Sequence, residues 1–296
     1  MPSPIWSAGS GSCKKEGEKE TTQLACYSHK NDGRQIPLDS ALAAGCIGIE
    51  IGVHPSGGEL LVGTTPDTLS RGRNLQTLYL DRLLQILRQK STKLRSIASD
   101  RDIGAEDHLG AFANDPSRTL VLSVDFKADL DQLWDLLVAQ LGPLREAGLL
   151  ICANGSSVIQ APVTVVATRK APFRRILESS TPLLALTSSP PLHQSQSFAY
   201  NNQNSYSASA DFDNAIGFLS FNKFSEHQLS RLRLQVQQSH SRGLKIRYRG
   251  TPRWPDGPRN QIWRTLDREG VDVITVKEFG SVVQRNSRKQ RGWWWY

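Results

Sequence analysis

The stretch from Arg118 to Lys127, RTLVLSVDFK, constrains this chain more than any other. Successive side chains of a strand point to opposite faces, so a strand with one wet face alternates apolar and polar residues. This run is rich in Leu and Val, with Leu120, Leu122, Val124 and Phe126 on one parity and Val121 on the other. It reads as a buried strand, of the kind found in a parallel sheet clad by helices. Similar texture recurs in LACYSH (24–29), CIGIEIGV (46–53), LLICANG (149–155), PVTVVATRK (162–170), PLLALTSS (182–189), LKIRYRG (244–250) and VDVITVKEFG (271–280).

Helical patterns fill the intervals. IPLDSALAAG (36–45) reads as a helix with a glycine stop, and LQTLYLDRLLQILRQK (75–90) sets Leu80, Leu83, Leu84 and Leu87 on one face. DLDQLWDLLVAQLGPLREAG (129–148) closes at Gly148, APFRRILES opens a further helix, and SEHQLSRLRLQVQQSHSRG (225–243) and the end of TPRWPDGPRNQIWRTLDREG (251–270) supply two more. ELLVGTT (59–65) pairs back on CIGIEIGV across a Ser-Gly-Gly turn. Residues 91–117 are polar and broken, a loop or excursion. Residues 190–214, rich in Ser, Gln and Asn, read as a long loop on the active face or a mobile insert, and AIGFLSFN (215–222) follows. Roughly eight β/α units over about 260 residues predict a TIM-type (β/α)8 barrel rather than an open doubly wound sheet. The expected division is a disordered leader over 1–22, the barrel over 23–282 and a basic, aromatic tail over 283–296. No GxGxxG or GxxxxGK[ST] is present, which argues against nucleotide binding.

A formal charge of +8 on 296 residues favours anionic partners such as phosphates, acidic lipid or nucleic acid, with solubility alone as the plainer explanation. The chain has no RNP motif, helix-turn-helix or zinc finger, so nucleic acid is not expected. The four cysteines form no CxxC and no zinc-type Cys/His cluster. Cys26, Cys46 and Cys152 read as small buried hydrophobes, and nothing demands an oxidising compartment. There is no membrane-length apolar run and no apolar signal core, so an intracellular, cytoplasmic location is expected. The tail RNSRKQRGWWWY joins cations to aromatics. It reads as a frayed terminus, or as a peripheral membrane contact.

In a barrel the strand ends collect on one face. They offer His29, Glu50, Asp125, Lys127, Arg247, Arg249, Lys277 and Glu278. Glu50 and Asp125 have the oxygen donors a divalent cation takes, His29 can serve as a general acid or base, and the lysines and arginines can hold a phosphate or carboxylate.

The segment YSHKNDGRQIPLDSALAAGCIGIEIGVHPSGGELLVGTT resembles the opening of the fungal altered-inheritance-of-mitochondria-protein-six family. That family lies in the phospholipase C-like phosphodiesterase superfamily, with the glycerophosphodiester phosphodiesterases. Its pattern runs SHNDYxR, PLxxALxxGC, VEADVW, ELxVGH. LVLSVDFKAD, PVTVVATRKAPF, NNQNSYSASADF and LKIRYRGTPRWPDGPRNQIW resemble later segments, colinearly over about residues 24 to 280. The resemblance implies a TIM-type barrel, one Mg²⁺ or Ca²⁺, and two histidines that cleave a phosphodiester of glycerophosphodiester or lipid type. It places His29 and Lys127 at the catalytic positions, Lys127 as a phosphate clamp, and Glu50 and Asp125 as metal ligands. Arg34, Arg249, Lys277 and Glu278 are the expected substrate-binding residues.

The pattern is broken in several places: the HND triplet reads His29-Lys30-Asn31 with Asp32 one position late, and the usually acidic closing strand offers Lys277 and Glu278. The second metal acid is Gly52 and the second histidine is Thr64. Two carboxylates in place of three weaken a cation site, because ligand charge sets affinity. Threonine cannot titrate near neutral pH, so half of an acid–base pair is missing. His54, an even offset from Glu50 along the strand, is a candidate stand-in, although a loop histidine is the blander reading. The expected cofactor is therefore a weakly held Mg²⁺ or Ca²⁺, or none, with Lys127 or Lys277 supplying the metal's charge. Three functions stay open: a metal-dependent phosphodiesterase, a repurposed barrel enzyme with a metal-free anion pocket, and a non-catalytic binder of a small anionic ligand.

Overall fold

The computed structural model describes residues 25–29, 37–97, 112, 118–127, 130–154, 157–169, 172–178, 186–189, 200–252 and 255–276. The leader, the tail, Arg34, Lys277 and Glu278 lie outside them. The strands are β1 (Ala25–Ser28), β2 (Gly48–Ser56), β3 (Glu59–Val62), β4 (Leu120–Phe126), β5 (Cys152–Asn154), β6 (Ser157–Ile159), β7 (Val163–Arg169), β8 (Leu186–Ser189), β9 (Ser207–Asp211), β10 (Lys245–Arg249) and β11 (Val273–Val276). The helices are α1 (Pro37–Ala43), α2 (Asp81–Ile97), α3 (Leu130–Gln140), α4 (Gly142–Glu146), α5 (Phe173–Glu178), α6 (Phe212–Ile216), α7 (Glu226–His240) and α8 (Asp256–Arg268).

Nine strands form one sheet in the order β8-β7-β4-β2-β1-β11-β10-β9, with β3 attached to β2 off this path. Every pairing along the path is parallel. Without β3, eight strands follow one another as they would round a barrel. The two ends, β8 and β9, approach within 8 Å at Cα, yet no ladder joins them. The closed ring expected from the sequence is thus a curved parallel α/β sheet in barrel order, open at one seam among the described residues. The seam strands are short, four and five residues, and β9 reads SASAD. They offer few ladder bonds and little apolar surface to hold an edge shut.

β4 is buried along all seven residues, the polar Ser123 and Asp125 included. Side chains of β2, β4 and β7 pack outward on Leu83, Leu87, Leu133 and Leu137 of α2 and α3. On the opposite arc Ile246 and Tyr248 meet Leu232, Ile262 and Leu266 of α7 and α8. A third cluster, Tyr27, Ile47, Val121, Val166 and Val273, fills the interior of the curve at its lower end. The β2–β3 hairpin turns on Gly57 and Gly58, both at positive φ, as a tight two-residue turn demands. Ser225 caps α7 in a reciprocal box with Gln228.

Four local expectations are corrected. LLICANG touches the main sheet only at its start, where Leu150 bridges Val163 of β7 in parallel, and its later residues, β5, pair antiparallel with β6 in a separate hairpin. The region taken as an insert holds β9, whose small polar residues carry no strand signature. The helix expected to stop near residue 90 continues to Ile97. Cys26 and Cys46 are joined by a disulfide across 20 residues rather than standing as separate apolar side chains. Among the described residues no helix is long and apolar enough to cross a membrane.

Candidate active site

Strand parity builds the site. Tyr27, Val121 and Val273 belong to the interior cluster, so residues two and four further along their strands face the same cavity. That rule brings up His29 after β1, then Ser123 and Asp125 on β4 with Lys127 after them, and Thr275 on β11. On β2, Glu50 lies opposite Ser123 and Gly52 opposite Asp125. The charged groups therefore occupy successive layers, about 7 Å apart by the rise of two strand residues.

The lower layer is organised by Arg247 of β10, which is only 2% exposed. Its Nε donates to Thr275 Oγ1 at 3.0 Å and its Nη1 to Ser123 Oγ at 3.2 Å. Its Nη2 donates to Glu50 Oε2, forming a buried ion pair. The guanidinium also lies 4.7 Å from the centre of the Tyr27 ring. Burial, seconded by Tyr206, pushes the Tyr27 phenol well above its ordinary range, so it stays neutral beside the arginine. His29 Nδ1 stands 3.6 Å from the same Glu50 oxygen.

In the upper layer Lys127 Nζ contacts Asp125 Oδ2 at 2.6 Å. Gly52 lies beside this pair. A Cβ built there would meet the Gly63 carbonyl oxygen at 2.4 Å and Lys127 Cε at 3.1 Å. The Gly63 amide donates to the Gly52 carbonyl at 3.0 Å, which holds the two glycine backbones together. The volume in which a side chain at position 52 would begin is thus filled by backbone and by the lysine stem.

The donor set does not fit a divalent cation. Glu50 is engaged by Arg247 and Asp125 by Lys127, and position 52 has no room for a carboxylate. Among the described residues no three His, Cys, Asp or Glu side chains converge as metal ligands would.

Of the residues expected from the sequence, His29, Glu50, Asp125 and Lys127 are brought to the inner side of the same curved sheet. Arg249 is half-buried at the end of β10, opposite Asp211. Thr64 is half-buried in the segment that covers Gly52. His54 is buried on the hairpin, opposite Leu61, one residue past the pairing of β2 with β4. Sequence reasoning named Arg247 only as a strand-end charge and missed Tyr27, Ser123 and Thr275. Counting back by two from His29 and Asp125 would have found Tyr27 and Ser123.

Fold and site together define a class: a parallel α/β protein of barrel type whose inner face carries a histidine and two cation–carboxylate pairs, one within the strands and one at their C-terminal ends. The chain belongs to the AIM6-like phosphodiesterase domain family, whose model matches residues 16–184. It is 30% identical over 272 residues to an altered inheritance of mitochondria protein 6 homolog of Arthroderma benhamiae, covering 86% of this chain and 81% of that one. Identity to the altered inheritance of mitochondria protein 6 of Eremothecium gossypii is 27%, over 86% of this chain and 68% of that one. To the Saccharomyces cerevisiae protein of the same name it is 25%, over 87% and 70%. Among solved structures, a glycerophosphoryl diester phosphodiesterase from Parabacteroides distasonis superposes with a TM-score of 0.48 at 11% identity, over 90% of this chain and 87% of that one.

Proposed function

We propose that this chain binds a phosphodiester of glycerophosphodiester or lipid type through a mouth whose positive charge comes from its own side chains instead of a metal. The observation that carries the reading is the occupation of the Gly52 side-chain volume by the Gly63 carbonyl and Lys127. The family pattern puts a carboxylate there, and here the Gly63 carbonyl oxygen stands where that side chain would begin, with the Lys127 stem alongside. Lys127, on the rim at 19% side-chain exposure, can turn its ammonium from Asp125 toward an incoming phosphoryl oxygen. Arg249 stands on the same rim. Arg247 is too deeply buried to reach a ligand; it neutralises Glu50 and fixes the carboxylate beside His29.

His29 is the group placed to move a proton, with its Nδ1 side beside the Glu50 carboxylate. One acid–base group, without a cation on the phosphoryl oxygens, supports slow turnover at most. The family's phosphodiesterase chemistry is therefore retained here as recognition, with weak, metal-independent hydrolysis. Mg²⁺ and Ca²⁺ have no part in it.

Phosphorus NMR of glycerophosphocholine incubated with the protein, with and without EDTA or added Mg²⁺ and Ca²⁺, tests the chemistry. Calorimetric titration of glycerol 3-phosphate into wild type and Lys127→Met tests the recognition. The expected result is a rate indifferent to EDTA and binding weakened at least about tenfold by the substitution, the scale of one charge-assisted contact. Rapid hydrolysis abolished by EDTA would overturn the reading. Phosphate-ester binding with no turnover at all would assign the chain to the non-catalytic alternative.

A further inference from the structure

The connection from β9 to α7 carries two features that the mouth does not use. Phe218 is 87% exposed and Phe221 92% exposed, among four exposed large apolar side chains in the described residues. The other two, Ile159 and Leu234, lie apart on the β5–β6 hairpin and on α7. Exposing two phenylalanines three residues apart forgoes the burial such side chains ordinarily find.

The loop is held in this shape. Leu219, between the two, is buried in the core, and Phe224 packs edge-on against Phe212 with ring centres 6.1 Å apart. The Gln228 side chain donates to the Phe218 carbonyl at 2.9 Å, and Lys223 N bonds Ser220 O at 3.0 Å. Phe221 and Asn222 both sit in the left-handed region, with φ of 51° and 57°. That conformation is unfavourable for a bulky side chain, and here it aims the Phe221 ring outward. Inward anchors at 219 and 224 thus alternate with outward rings at 218 and 221.

Topology fixes where these rings lie. In parallel strand–helix units the connection after each strand lies at the C-terminal end of the sheet. The β9–α7 loop therefore shares a face with His29, Lys127 and Arg249. Exposed Lys223 follows Phe221 by two residues, and the chain as a whole carries +8.

We propose that Phe218 and Phe221 form an apolar lip that inserts into the headgroup boundary of an anionic lipid bilayer, with Lys223 beside it, and sets the charged mouth against the membrane. Two rings on a convex loop are too little for the core of a protein interface, which takes about 800 Å² from each partner. Paired aromatics flanked by a cation are suited to a bilayer surface, where ring and charge are accommodated at different depths. The proposal rests on the reading above only in naming the lipid-borne phosphodiester as what the mouth meets there.

The test is co-sedimentation of the full chain with phosphatidylcholine vesicles containing phosphatidylserine, comparing wild type with F218S/F221S. Both side chains are almost wholly exposed, so the double variant should keep the wild-type melting temperature. The expected result is a partition coefficient at least about tenfold lower for the variant, the scale of removing one such side chain from an apolar environment. A F221W variant should show blue-shifted emission on vesicle addition, quenched by brominated lipid. Glycerol 3-phosphate binding should be unchanged in F218S/F221S. Equal partition of wild type and variant overturns the lip, whatever the phosphate-ester result. Unchanged vesicle binding by Lys127→Met, with loss of its phosphate-ester binding, keeps the two claims separate. A dimer in solution that F218S/F221S dissolves, without vesicle binding, would assign the rings to self-association and overturn the proposal as well.

Discussion

Replacing Arg247 by methionine is the most demanding test of how the interior is held. The guanidinium donates to Thr275, Ser123 and Glu50 and lies over Tyr27, while Glu50 itself is 4% exposed. Methionine keeps much of the volume but leaves the Glu50 carboxylate buried without its ion-pair partner. Breaking a buried pair from one side costs about 3–5 kcal/mol, because the remaining charge loses compensation that water would have given. Glu50→Leu, which strands the arginine, should cost a similar amount. The double variant R247M/E50L removes both charges and puts apolar atoms against the ring of Tyr27. Exchanges of this kind are often close to neutral, so its cost should fall well below the sum of the singles. The coupling should be at least about 2 kcal/mol. Urea unfolding of the four proteins at one pH, followed by far-UV circular dichroism, gives the cycle. Single variants that each cost less than about 1 kcal/mol, or a double variant that costs their sum, would refute the claim that the pair is a desolvated unit.

Three further outcomes are expected. Gly52→Ala should lower stability by about 1–3 kcal/mol, since its methyl would stand 2.4 Å from the carbonyl oxygen of Gly63, a residue whose amide is itself bonded to the Gly52 carbonyl; Gly52→Asp should cost more and bind no Mg²⁺ in calorimetry, and a wild-type urea midpoint for the alanine variant would contradict the packing. Denatured protein should titrate with two thiols rather than four, and C26S/C46S should lose about 3 kcal/mol, the closure entropy of a loop of this length; four titrating thiols would disprove the pairing. Such a bond persists in oxidising surroundings, so this titration bears on the compartment too. Glu269 is held below its ordinary value of 4.5 mainly by the Arg233 side chain, which donates to it at 2.7 Å and 3.2 Å. A lowered folded pKa contributes stability that is present above the ordinary value and lost as pH falls through the folded one. Urea midpoints measured from pH 6 to 3 should therefore fall more shallowly below 4.5 in R233Q than in wild type; parallel curves would count against the contact.

Much of the architecture was legible along the chain, and the reason is local. β4 carries Leu120, Val121, Leu122, Val124 and Phe126 within seven residues, the texture of a buried strand, and Gly57-Gly58 turns the β2–β3 hairpin with no help from distant residues. β9 escaped because Ser-Ala-Ser-Ala-Asp has neither apolar runs nor β-branched residues; β10 makes it a strand. His29, Asp125 and Lys127 were legible as strand-end chemistry, and parity places them with Glu50 on the inner side of the sheet. Arg247 was visible only as one more strand-end cation.

The chain by itself determined which segments are buried strands, where most helices run, and that His29, Asp125 and Lys127 stand at strand ends, because periodicity and turn chemistry act over a few residues. Glu50, expected at a strand end, is instead the third of nine residues in β2. Tertiary structure alone decided the pairings: Arg247 with Glu50 across 197 positions, Cys26 with Cys46, and the Gly63 carbonyl against Gly52. Those depend on register and strand order, which bring distant residues within ångströms, and on a desolvated interior where each buried charge must find its opposite.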